Sequence, residues 1–265
     1  MKAQDLTVEI NLSGLPGDAE SVIQGFTFTA TSEIGLEFDL ISGVVIDPDL
    51  KGAEAKPEGT GADQKFKIRL SPFVFWSIYR CIKLKADLKT LDGADQLNIY
   101  IFYHELGHCV DERNRAVFNR QDPSDDESYD RSKCSEWNEQ VLLSEYAASH
   151  LAAENLGKEG FVQEVEDFQR LEGKIIREAK GMPVEQQAYY TWKLLLEYAK
   201  LSAVAHKNDW PRPTCMVEFG LSQEFRGLHK KLGELWADYP NWQHPLTGAT
   251  SLWLTVSQRL GITGL

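Results

Sequence analysis

The chain has 265 residues, 42% of them hydrophobic and 26% charged, with a formal net charge of −12, and is long enough to bury a substantial core. Binding nucleic acid or an anionic membrane calls for clustered Lys and Arg, whereas the most basic runs here, "HKKLGELW" and "KLKADLK", read as solvated helix faces. No segment approaches the roughly 18–20 uninterrupted apolar residues that cross a bilayer, and "MKAQDLTVEINLSG" lacks the apolar run of a secretory leader. Cys81, Cys109, Cys134 and Cys215 form no CxxC pair and are expected to be free buried thiols in a cytoplasmic protein.

In chain order, the first 72 residues read as β-rich. "DLTVEINL", "GFTFTATS", "GLEFDLISGVVI" and "KFKIRLSPFVF" alternate apolar with polar residues or are rich in β-branched and aromatic ones. "DPDLKGAEAKPEGTGADQ" is rich in Gly, Pro and charge, and is expected to be a mobile hairpin loop. From about residue 74 the period becomes helical, first in "VFWSIYRCIKLKADLK" and then in "ADQLNIYIFYHELGHCVDE". The segment "NRQDPSDDESYDRSKCS" is polar, acidic and without period, so an exposed loop is expected there. Further helices are predicted over 136–157, 160–180, 183–208, 222–237 and 246–260, the first of these with Ser135 as its N-cap. With no internal repeat and no clean linker, the chain reads as one α+β domain over 1–265. A small N-terminal antiparallel or mixed sheet (1–72) packs on a larger helical part (73–265).

The sharpest motif lies in "IYIFYHELGHCVDERNR". Residues four apart share a helix face, so His104 and His108 can direct two imidazoles at one point. Neutral imidazole is a good Zn²⁺ ligand, and two of them one turn apart fit two corners of a tetrahedron. Glu105 lies about 100° further round, where a carboxylate can take a proton from a metal-activated water. Ile101, Phe102, Leu106, Gly107, Cys109 and Val110 are all uncharged, so the helix is expected to be buried. Ionisable groups in such a place need a compensating partner, and a metal supplies one. Cys109 diverges from the metal face and is expected only to pack.

This stretch resembles the active-site helix of the zincin metallopeptidases. The metzincin subgroup would require Gly and His at the positions held here by Asp111 and Asn114. The gluzincin subgroup takes a third ligand, Glu, from a later helix, and the resemblance points to Glu145 in "NEQVLLSEYAASHLAAENL". Glu145 falls among Val141, Leu142, Ala148 and Ala152 on the apolar side of that helix, while Glu139 and Glu154 fall on a more polar side and are expected to be solvated. Some gluzincins place an Asp four residues after the ligand Glu to orient a histidine. Here Ser149 holds that position, so a hydroxyl or a backbone carbonyl would serve instead. The pairing of a HELGH helix with an Ala-rich Glu helix is also similar to the ImmA/IrrE-type regulatory peptidases of bacteria and phages.

The resemblance implies a zincin-like fold and an intracellular peptidase. Zn²⁺ would sit on His104, His108 and Glu145, with Glu105 as general base and a peptide or protein as substrate. It also implies an exposed edge strand, here "KFKIRLSPFVF", that aligns an extended peptide. Tyr146, His150, Tyr189, Tyr190, His206, His229 and His244 are the candidates to stabilise an oxyanion. For each a structural role is the simpler reading: core packing for the tyrosines and for Trp192, Trp210, Trp236, Trp242 and Trp253, and capping for His206. Two rival readings use the same residues. One is a regulatory or binding protein that keeps a structural or sensory zinc, and the other is a helical interaction module whose histidines are merely buried.

Overall fold

Four strands and eight α-helices lie within the residues that the computed structural model describes, which are 5–59, 63–115, 131–178, 181, 184–214, 221–242 and 249–259. The strands are β1 (Thr7–Ile10), β2 (Ile41–Ile46), β3 (Ala53–Glu58) and β4 (Lys65–Leu70), and α1 (Ala19–Glu33) lies between the first two. Then follow α2 (Pro72–Leu84), α3 (Gly93–Arg115), α4 (Arg131–Ala152), α5 (Lys158–Glu178), α6 (Val184–Asn208), α7 (Ser222–Trp236) and α8 (Ala249–Arg259). The chain divides into two compact units, Met1–Asn114 with Leu151–Phe161, and Arg115–His150 with Val162–Leu265.

In the first unit the strand order is β1-β2-β4-β3, so the sheet is mixed, as expected. β2 runs parallel to β1 and to β4, and β3 pairs antiparallel with β4. "ISGVVI" is nearly all apolar and buries Ile41, Val44, Val45 and Ile46, the pattern of a strand covered on both faces. In β4, Phe66, Ile68 and Leu70 point inward. The alternate residues form ion pairs: Arg69 with Asp47 and Glu54, and Lys67 with Glu9 and Glu58.

Three expectations fail in this unit. "GFTFTATS" lies in α1 rather than in a strand. Its F-T-F-T alternation hides a helical set, because Ala19, Val22, Ile23, Phe26 and Ala30 are buried while Phe28 is 43% exposed. The threonines are tolerated in the helix, with the hydroxyls of Thr29 and Thr31 satisfied by the carbonyls of Gly25 and Thr27 at 3.1 and 3.0 Å. The supposed hairpin loop contains β3, whose "AEAKPE" has little β propensity and is held by pairing with β4 from Ala53 opposite Leu70 to Glu58 opposite Lys65. "KFKIRLSPFVF" is no edge strand. β4 lies between β2 and β3, and the segment breaks at Ser71, whose side chain caps α2 by accepting from Val74 N–H at 3.3 Å ahead of Pro72.

α3 is seated from several sides within this unit. Phe26 of α1 meets Phe102 and Tyr103 at ring distances of 5.3 and 5.9 Å, and the Tyr103 hydroxyl donates to Glu33. The Gly160 N–H donates to the Gln96 side chain at 3.0 Å, and a Cβ at Gly157 would collide with that same side chain. Near the start of α3, Asp95 accepts from the Ser77 hydroxyl at 2.6 Å and from Arg80 Nε at 3.0 Å, which ties α2 to α3.

The second unit is helical. Tyr198 of α6 packs against Phe225 of α7 at 4.9 Å and Phe168 of α5 at 6.0 Å, and Trp192 of α6 meets Trp253 of α8 at 6.2 Å. The later helices fall where their period predicts. α4 is the exception, beginning at Arg131 and so placing Ser135 inside the helix rather than at its cap. Residues 116–130 of the expected acidic loop lie outside the described residues, and 131–135 are helical. Among the described residues no helix is long and apolar enough to cross a membrane.

The Asp95 carboxyl is held below the usual carboxylate range, chiefly by its hydrogen bonds from the Arg80 guanidinium. A depressed folded-state pKa gives stability that is present above the unfolded value of about 3.9 and is lost as pH falls through the lower folded value. Asp95→Ala is therefore expected to lower unfolding stability at pH 7 by about 2–3 kcal/mol in urea titrations, with the gap to wild type closing below about pH 4.

Candidate metal centre

α3 carries His104 and His108 one turn apart, with His104 buried and His108 half-buried. Their Nε2 atoms are 3.1 Å apart and their rings nearly perpendicular. Two nitrogens bound at about 2.0–2.1 Å to one tetrahedral ion stand roughly 3.3–3.4 Å apart, so the two imidazoles already have nearly the spacing of a shared ion. Ligand atoms of His104, His108 and Glu145 all lie within 4.8 Å of one another, which makes the three a possible metal-binding triad. Among the described residues no other such group of His, Cys, Asp and Glu is found. The donors suit a borderline cation: two imidazoles and one carboxylate form a set found at open zinc sites.

Glu105 is half-buried on the same helix, and its Oε2 accepts from the Ala55 N–H of β3 at 2.9 Å. β3 is the outer strand of the sheet, and in an antiparallel pair alternate N–H groups face away from the partner. Ala55 is therefore in the outward-facing set, and so is Pro57, which has no N–H to offer. The edge thus presents a donor beside Glu105 and ends two residues later at a residue that cannot donate. Further along α3, Glu112 is buried and accepts from the Gln64 side chain, and burial raises its pKa. Cys109 is buried, with its thiol against the Glu105 carbonyl, so it packs as expected.

α4 presents Glu145 among buried Leu142, Ala148 and Ala152. Its side chain is 19% exposed, and the Lys200 ammonium of α6 lies 3.3 Å from its Oε2. Ser149, one turn on, is fully buried. Glu154 is exposed as expected, but Glu139 is buried rather than solvated. The polar face of α4 is therefore narrower than its sequence suggests.

Four of the oxyanion candidates gather in the second unit. The Tyr146 hydroxyl and His206 Nδ1 are 2.8 Å apart, His206 stacks near His229 at 3.8 Å, and His150 stacks on Trp236 at 3.8 Å. Gly233 leaves room for this, since a Cβ there would come within 3.0 Å of the His206 ring. Burial lowers the pKa of His206, and burial with the neighbouring His206 pushes His229 down to about 4. Both rings are accordingly neutral at pH 7. Burial also raises the Tyr146 pKa, so its phenol stays protonated. His206 is thus a hydrogen-bonding partner of Tyr146 rather than a simple cap. Tyr189, expected in the core, is 61% exposed, and the five tryptophans are half-buried rather than enclosed. His244 lies outside the described residues.

Sequence reasoning did not find Ala55 or Lys200. A backbone donor leaves no trace in residue type. Lys200 did leave one, a cation in the apolar run "LLLEYAKLSAVA", the same anomaly that drew attention to Glu145. Because its N–H is bonded to Glu105, the Ala55 amide is expected to exchange slowly in wild type. It is expected to exchange at least about tenfold faster in Glu105→Ala, with the Ile68 amide unchanged, in hydrogen-exchange measurements. No family model, no curated protein and no solved structure matches the chain, so its chemistry has to be read from these residues themselves.

Proposed function

We propose that the protein is a zinc-dependent metallohydrolase acting on a peptide bond. The observation that carries this reading is the convergence of His104, His108 and Glu145, with ligand atoms within 4.8 Å of one another, beside a carboxylate that faces a strand edge. The ligand set fits zinc, and the three protein ligands found among the described residues are the usual complement of a catalytic site, where structural zinc takes four. When bound, zinc supplies a Lewis acid that polarises the scissile carbonyl and lowers the pKa of water to about 7.

The residues of the chain do the rest. Glu105 takes the proton of the attacking water and passes it to the departing amine. A general base placed in this way contributes about 10²–10⁴ in rate. The outward carbonyls of Ala53 and Ala55, with the Ala55 N–H held by Glu105, accept from an extended substrate and lay its scissile carbonyl along α3. Pro57 ends that pairing, which keeps the paired stretch short. Cys81 and Cys109 are free and buried, in keeping with a reducing, cytoplasmic setting, and the net charge of −12 argues against nucleic acid as the substrate.

Purified without added metal, wild type is expected to carry about one zinc per chain by mass spectrometry, and Glu145→Ala clearly less. Glu105→Gln should keep its zinc and lose at least about a hundredfold in the cleavage of a quenched fluorescent peptide library. Retained zinc with no cleavage in wild type would favour a regulatory or binding protein with a structural or sensory site. No zinc even after reconstitution would leave a buried histidine pair and no enzyme.

A further inference from the structure

Glu145 has a second suitor. Lys200 places its ammonium 3.3 Å from Glu145 Oε2 and 3.4 Å from Glu197 Oε1, and the three side chains are 29%, 19% and 26% exposed. Glu164 of α5 completes the cluster. Burial and the charge of Glu197 push its pKa up to about 7, and the Lys200 ammonium opposes that rise. One cation therefore serves two carboxylates, Glu145 and Glu197, in a poorly solvated place, and the first belongs to the candidate metal site.

An ammonium and a divalent ion cannot share a carboxylate without repelling each other, and at such separations the repulsion is strong unless water screens it. A half-buried site screens poorly. Conversely, a carboxylate at this depth with neither cation would be costly to keep charged. We propose that Lys200 holds Glu145 in the metal-free protein and competes with zinc for it, so that metal uptake passes the ammonium to Glu197. The handover needs only rotation of the flexible lysine stem, because both carboxylates are already within about 3.5 Å of the same nitrogen. The device keeps the empty site ordered and its zinc affinity below what the donors alone would give. It rests on the metal-site reading above.

The test is zinc affinity, measured by chelator competition on the full chain at pH 7, with no substrate involved. Lys200→Met keeps the stem and removes the charge, and is expected to bind zinc at least tenfold more tightly than wild type. Lys200→Arg keeps the charge and should stay within threefold. Glu197→Gln removes the place to which the ammonium retreats, and should bind zinc at least threefold more weakly. That variant decides the matter if Lys200→Met does not fold. Unchanged or weaker zinc binding in Lys200→Met would overturn the competition and make Lys200 a mere support of the ligand. Unchanged binding in Glu197→Gln would overturn the handover. Wild type that binds no zinc would overturn this proposal and the metal-site reading together, whereas zinc in wild type with a silent Lys200→Met overturns this one alone.

Discussion

Two imidazoles facing each other at 3.1 Å on a helix whose other residues are mostly buried set the central constraint. Neutral, they can share one hydrogen bond; if both are protonated they repel; with a cation between them both lone pairs are used. Much of the first unit serves to hold that pair still. Phe26 and Glu33 fix α3 from α1, Asp95 ties its start to α2, and Gln96 joins it to the Gly157–Gly160 turn. A helix fixed from three sides keeps its side chains within the few tenths of an ångström that ligand geometry requires.

The same rigidity gives Glu105 its setting. The Ala55 N–H fixes one of its oxygens at 2.9 Å. The donor is available because β3 is the outer strand. Pro57 then blocks the open-ended pairing that makes exposed edges prone to aggregation. One short, poorly β-forming strand thus provides both a donor and a stop.

Legibility in the sequence followed the physical source of each feature. The HELGH spacing, the charge of Glu145 in an apolar run and the periods of α5 to α8 are local properties, and each was readable. "FTFTAT" misled because its alternating aromatics satisfy two periods at once, and only burial of Phe26 with exposure of Phe28 chooses the helix. "AEAKPE" was missed because nothing in its own residues favours a strand, and pairing with β4 alone creates it. Glu139 and Tyr189 were misplaced for a related reason. Which side of a helix meets another element depends on the partner, and the partner is not written in the helix.

Lys200 extends the logic that singled out Glu145. A charge in an apolar run signals something that compensates it, and a metal and a lysine are the two compensators available to a carboxylate. The surroundings of Glu145 offer both, which is why its burial alone could not say whether it is a ligand or half of an ion pair. The presence of Glu197 within reach of the same ammonium changes that balance. Under the proposed handover, Glu197 is where the ammonium goes when it yields Glu145 to a metal, 3.4 Å from the same nitrogen.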